Sequence, residues 1–159
     1  VSFEQRVADL GLQLPSEPVL PPDVRIAFDW VRVVGDRCVL SGHGALAADG
    51  TPAGPFGRVP SEVPLEQAQR SARMAALAML GAVRVVLGSL DRVGDWLSVT
   101  GFVNADPGYR QTTAVLNPAS DLLREVFGEH GRHARTAIGV AALPLNLPVI
   151  LSAELLVTP

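Results

Sequence analysis

The chain has 159 residues, 48% hydrophobic and 18% charged, which is the length and balance of one globular domain with a real core and excludes a disordered or fibrous chain. Its formal net charge of −3 argues against nucleic acid as the main partner, because neutralising phosphates calls for clustered Lys and Arg. The one cysteine, Cys38, cannot form an internal disulfide and reads as a buried structural thiol.

The N-terminal "VSFEQRVADLG" has neither the cationic start nor the continuous apolar stretch of a leader peptide. No apolar run reaches the roughly 20 residues of a membrane helix. The expectation is a cytoplasmic protein, with neither membrane nor nucleic acid as a partner.

In chain order, Ser2 and Gln5 have capping-box spacing, and Phe3, Val7, Leu10 and Leu12 give a short helix an apolar side. "LPSEPVLPPD" ends it, because proline cannot continue a helix and restricts the residue before it. Residues 1–23 therefore read as a helix plus a proline-rich arm laid across a main domain of residues 24–159. From Val24 to Ala45, β-branched and aromatic residues surround Gly35-Asp36, the signature of a hairpin with strands near 25–34 and 37–44.

Pro64 and Gly88 bracket an amphipathic helix of about six turns. Its middle, "MAALAMLGA", is apolar nearly all round and calls for more than one covering neighbour. "DWLSVTGFVNA" is a strand ending near Asn104. Asn117-Pro118 then offers an N-cap with proline at the first position of a second helix that stops at Gly128. Strands near 135–142 and 148–157 close the chain. Hairpin, helix, strand, helix, hairpin makes an α+β fold, a mixed sheet of about six strands with both main helices on one face. The other face carries enough Val, Leu and Ile to predict a homo-oligomer that buries it.

"VLSGHG", the alanine-rich helix, "LDRVGDWLSVTGFVNADPGY" and "LNPASDLLREVFGEHGRHARTAIGVAALPLNLPV" together resemble the Rid (YjgF/YER057c/UK114) family, whose fold is chorismate mutase-like. The likeness runs from about Val24 to Val157 and is most specific over 117–143; the first twenty residues resemble the N-terminal extension of one branch. It implies a homotrimer with a ligand cleft between subunits. In the best-understood branch, enamines and imines are hydrolysed there to keto acids and ammonia, without metal or organic cofactor. Arg135 in "HARTAIGV" matches the arginine that grips the substrate carboxylate. The chemistry fits, since a guanidinium offers a fork of donors to a carboxylate and keeps its charge. On residue type alone, Arg135 also suits a stem packed on the sheet or an ion pair across an interface.

The pattern departs from the active branch in two places. Six residues after Pro144 that branch has a water-orienting glutamate, and this chain has Ile150, which can neither hold a water nor move a proton. Glu154 lies on the same face of the strand, roughly 13 Å farther along. Phe28 stands where the deaminase branch has tyrosine, so an aromatic wall remains without its hydroxyl. Ile150 also makes that part of the cleft more apolar, predicting a ligand with a carboxylate at one end and a larger apolar body.

His43 in "SGHG" reads either as an acid or base near the cleft or as a strand-end histidine bonded to a backbone carbonyl. Asn117, also matched to the family, reads as a helix cap or a ligand contact. His130 and His133 lack a third ligand motif and are not read as a metal site. Ser41 and Ser120 have no GxSxG setting, and no glycine cluster has the context of a phosphate loop.

Two readings follow. In one, the protein hydrolyses an imine or enamine, with Arg135 as clamp and His43 as acid or base. In the other, it is a non-catalytic or regulatory binding protein that retains the clamp.

Overall fold

The computed structural model describes all 159 residues. Helix α1 (Phe3–Asp9) begins as its sequence predicts, with the Ser2 hydroxyl accepting from the Gln5 N–H at 3.0 Å. The capping box is only half made, because the Gln5 amide turns forward to Asp9 (2.8 Å). The helix is docked on the rest of the chain. Val7 is buried, Phe3 meets the edge of Phe127 at 4.8 Å, and Glu4 pairs with Arg84 (2.7 Å) while accepting from the Leu90 N–H (2.9 Å).

The arm then crosses the longest helix, α2 (Leu65–Leu87), at Gly81. A Cβ there would stand 2.5 Å from the Pro15 carbonyl oxygen, so only glycine admits the crossing. Val19 N–H fastens the arm to Gly50 O at 2.8 Å.

Strands β1 (Val31–Val34) and β2 (Arg37–His43) form the predicted hairpin about Gly35-Asp36. The first strand is shorter than the expected 25–34. The Ser41 hydroxyl donates to Asp29 O (2.6 Å) and the Ser41 N–H to Trp30 O (3.0 Å), while β2 shifts register against its other neighbour between Leu40 and His43. The ladder ends there, and residues 24–30 run as irregular chain with bends at Phe28 and Trp30.

Strands β3 (Val93–Asn104), β4 (Ala134–Val140) and β5 (Val149–Val157) complete a sheet of five strands in the order β1-β2-β5-β3-β4, where about six were expected. Only β3 and β4 pair in parallel, and the closing hairpin expected of β4 and β5 does not form, because β3 lies between them and pairs with both. Parallel neighbours need a crossover, which α3 (Thr112–Phe127) supplies.

The second helix corrects the expectation at Asn117-Pro118. It begins at Thr112, so Asn117 is no N-cap and Pro118 lies inside the helix. An interior proline has no N–H for the carbonyl four residues back, here Ala114. The Gln69 amide reaches over from α2 and donates to Ala114 O at 2.9 Å. The acceptor freed by the proline thus gains a partner from the neighbouring helix, and α3 continues.

The core lies between the helices and one face of the sheet. Along β5, Val149, Leu151, Ala153, Leu155 and Val157 are buried, while Ile150, Ser152, Glu154 and Leu156 look the other way. Small residues of α2 (Ala68, Ala72, Ala75, Ala76) let it sit close to both α3 and the sheet, which covers its apolar middle from two sides. Cys38 is buried, and burial pushes its thiol up to about 11. The far sheet face exposes Val34, Val39 and Ile138 beside an Arg37–Glu154 ion pair. No helix is long and apolar enough to cross a membrane.

Candidate functional site

Two groups of residues stand out, one behind β4 and one at the end of β2. In the first, Arg135 lies in register with Val99, whose own partner across β3 and β5 is buried Ala153, so its side chain leaves the sheet on the helix side. Its guanidinium makes three hydrogen bonds to α3: Nη1 to Ser120 Oγ (3.0 Å), and Nη2 to Asn117 Oδ1 (2.9 Å) and Thr113 O (3.3 Å). Thr113, Asn117 and Ser120 are four and three residues apart, the spacing of one helical face. All three acceptors are neutral, and Arg135 forms no salt bridge. Burial lowers its pKa from the ordinary value, with Asp121 acting in the opposite direction; arginine stays cationic at any ordinary pH.

Ser120 is shared. His133 Nε2 lies 2.9 Å from Ser120 Oγ, and His133 Nδ1 lies 2.7 Å from Gly131 O. A carbonyl can only accept, so Nδ1 carries the proton and Nε2 presents its lone pair. Ser120 therefore donates to His133 and accepts from Arg135. Burial lowers the His133 pKa; Arg135 and Arg124 push it the same way, and the Gly131 bond opposes them.

The second group lines a cleft of about 250 Å³ under the proline-rich arm. Leu20 of the arm, Val24, Ile26, Phe28 and Trp30 of the segment that follows it, and Leu145 and Ile150 from the other side make its wall. Phe28 meets the edge of Trp30 at 5.0 Å, and Trp30 packs on His43 at 5.4 Å. Leu145 holds φ +58°, left-handed backbone that a branched residue adopts only when its surroundings impose it.

His43 is 1% exposed, with Nδ1 at 2.6 Å from Ser41 O, and its Nε2 has no partner. By the same reasoning Nδ1 is the protonated nitrogen. Burial lowers the His43 pKa, although the Ser41 bond works against this. Ile150 packs where a Cβ on Gly42 would be, 2.8 Å from its Cγ2. The carboxylate of Glu154 is taken by Arg37 Nε at 2.7 Å.

Within one chain these groups stay apart. Phe28, His43 and Ile150 share the cleft, Arg135 and Asn117 are hydrogen-bonded to each other behind β4, and β5 and β3 lie between β2 and β4 in the sheet. Three strand spacings come to about 14 Å. His130 and His133 also diverge, His130 bonding Asp95 (2.9 Å) while His133 bonds Ser120.

Sequence reasoning passed over Ser120 and His133 because each was weighed against a motif it lacks. Their signals are present, since Ser120 follows Asn117 by one helical turn and His133 precedes Arg135 by two residues. The interior proline hid them, because the Thr113–Asn117–Ser120 stripe exists only if the helix begins before Pro118.

An α+β sheet of this order with its crossover helices on one face defines the chorismate mutase-like class. No family model matches the chain. Protein TCP17 of Trypanosoma cruzi is 35% identical to it over 141 residues, covering 88% of this chain and 84% of that protein. The crystal structure of Atu1372 from Agrobacterium tumefaciens, a protein of unknown function, is 31% identical with a TM-score of 0.85, over 99% of this chain and 92% of that one. A putative endoribonuclease from Shewanella oneidensis superimposes with a TM-score of 0.89 at 24% identity, over 98% and 99% of the two chains. The YjgF protein of Escherichia coli shares the fold at a TM-score of 0.56 and 20% identity, over 91% and 93%. The chain belongs to the Rid (YjgF/YER057c/UK114) family.

Proposed function

We propose that the protein binds a small carboxylate metabolite, an imino or keto acid with a sizeable apolar body, in a cleft between copies of the chain in a homotrimer. Arg135 is the carboxylate clamp and Asn117 its support, while Phe28, Trp30 and Ile150 of a neighbouring copy hold the apolar end. The observation that carries this reading is the state of Arg135: a partly buried guanidinium held by three neutral oxygens, with no carboxylate of its own chain to satisfy it. Two of its five N–H donors remain unengaged, and a permanent cation so placed favours an anionic guest. The separation of Arg135 from the apolar cleft by three strand positions and the exposed apolar sheet face both support completion of the site by a second copy.

Imine hydrolysis is the second reading. The family likeness favours it, but Ile150 supplies no acid, Glu154 is engaged by Arg37, and His43 is tied to a backbone carbonyl with its other nitrogen sealed from water. These observations favour binding over the family's known reaction, and no cofactor is invoked in either reading.

Calorimetric titration with pyruvate and phenylpyruvate, alongside light scattering, tests the proposal. Expected are a trimer, tighter binding of phenylpyruvate, and loss of both ligands in Arg135→Ala. A monomer, or equal or tighter binding of pyruvate, overturns it.

A further inference from the structure

We infer that His133 is a positioning residue that couples the Arg135 anion site to pH: its protonation frees the Ser120 hydroxyl for an incoming carboxylate and tightens anion binding. This rests on the carboxylate-clamp reading of Arg135 and adds a residue and a regulation to it.

The bonds His133 makes fix where its protons lie. Gly131 O, 2.7 Å from Nδ1, obliges neutral His133 to carry its proton on that nitrogen. Nε2, 2.9 Å from Ser120 Oγ, is then an acceptor and takes the hydroxyl proton. The Ser120 oxygen turns its lone pairs outward, and one accepts from Arg135 Nη1 at 3.0 Å. In this state Ser120 presents lone pairs beside the guanidinium and has no proton to offer a carboxylate, so it repels an anion while it orients the clamp.

Protonation of His133 reverses the serine. Imidazolium has an N–H on each ring nitrogen, so Nε2 becomes a donor to the same Oγ. Ser120 now accepts from both His133 and Arg135, using both lone pairs, and its O–H swings free. The change delivers one hydrogen-bond donor and one positive charge to the place where the clamp meets its ligand.

The charged surroundings agree in sign. Arg135 on β4 and Arg124 on α3 disfavour the imidazolium, Asp121 on α3 lies on the Arg135 side, and Arg132 on the preceding turn is paired with Glu129 at 3.1 Å. In the free protein two cations oppose the protonation of His133; a bound carboxylate offsets them. By linkage, whatever anion raises the proton affinity of His133 is itself bound more tightly when the proton is present. A rise of one unit in the His133 pKa on binding corresponds to at most about a tenfold gain in affinity, expressed between pH 8 and pH 5. A keto acid stays ionised throughout that range, so the ligand's own charge does not change.

The probe is phenylpyruvate, titrated calorimetrically at pH 8, 7, 6 and 5 into the full-length protein, with thermal melts at each pH to verify folding. Wild type should bind several-fold more tightly at pH 5 than at pH 8. His133→Asn, which has no proton to gain, should bind with the same affinity at every pH. Ser120→Ala, which removes one acceptor that holds Arg135, should bind more weakly than wild type at pH 8 and also lose most of the gain at pH 5, because it has no hydroxyl to turn toward the ligand. Nitrogen-15 NMR of the imidazoles should assign His133 to the Nδ1–H tautomer in the free protein and move its titration to higher pH when ligand is added. Binding that is pH-independent, or equally pH-dependent in His133→Asn, overturns the coupling and leaves the clamp standing. No phenylpyruvate binding at any pH overturns the clamp, and the coupling with it.

Discussion

The handover at Pro118 gives a sharp prediction because it is a relation between two side chains on different helices. Gln69 donates to Ala114 O at 2.9 Å, the acceptor that residue 118 would satisfy if it had an N–H. Gln69→Ala leaves that carbonyl unpaired between two packed helices, at a cost of about 1–2 kcal/mol. In a Pro118→Ala background the restored amide donates to Ala114 O, and Gln69→Ala should then cost about 0.5 kcal/mol or less. The interaction energy of the cycle is thus about 1 kcal/mol, well inside the range for residues sharing a partner. Urea denaturation of wild type, both single variants and the double variant measures it, provided the slopes agree. Equal costs of Gln69→Ala in both backgrounds would refute the reasoning and make the 2.9 Å bond incidental. The same cycle read by keto-acid binding connects fold to site, because Thr113, Asn117 and Ser120 ride on this helix.

His43 is buried and neutral with its pKa held down by burial, so below its ordinary value near 6.5 the unfolded chain takes up a proton that the folded chain refuses. Stability should therefore fall as pH drops below about 6.5, by at most about 1.4 kcal/mol per unit from this group. Thermal melts from pH 8 to 5 should be flatter in His43→Leu than in wild type, and parallel curves would contradict this. Gly81→Ala gains up to about 1 kcal/mol of helix propensity but drives a methyl to 2.5 Å from Pro15 O. The arm should lift, seen as faster proteolysis near residues 15–24 without greater stability. Cys38, fully buried with its thiol pushed up to about 11, should resist a thiol reagent in the native state and react promptly in denaturant.

Much of the fold is legible in the residues because its signals are local and repeated. Gly35-Asp36 names a hairpin, the alanine and methionine spacing from Leu65 names α2, and alternation along Val149–Val157 names β5 and its two faces. What was misread depended on partners far away in sequence. The short β1 follows from Ser41 reaching back to Asp29 and Trp30, and the early start of α3 follows from Gln69 completing what Pro118 removes. Neither is visible in a local window. Of the candidate site residues, Arg135 and Asn117 meet through a bond that strand and helix together create, and Phe28, His43 and Ile150 meet in a separate cleft. No single chain's sequence pattern could tell that the two sets lie on strands separated by two others.

The central claim, that two copies build one site, is tested most directly by complementation. Arg135→Ala copies lack the clamp, and Ile150→Glu copies place a carboxylate in the apolar wall, so neither alone should bind phenylpyruvate. Co-expressed in equal amounts, the two should form mixed trimers in which about one quarter of the clefts combine an intact Arg135 with an intact Ile150 from different copies. Calorimetry should then recover binding at about one quarter of the wild-type stoichiometry with near wild-type affinity. No recovery, in mixed trimers verified by mass, would contradict a site shared between copies.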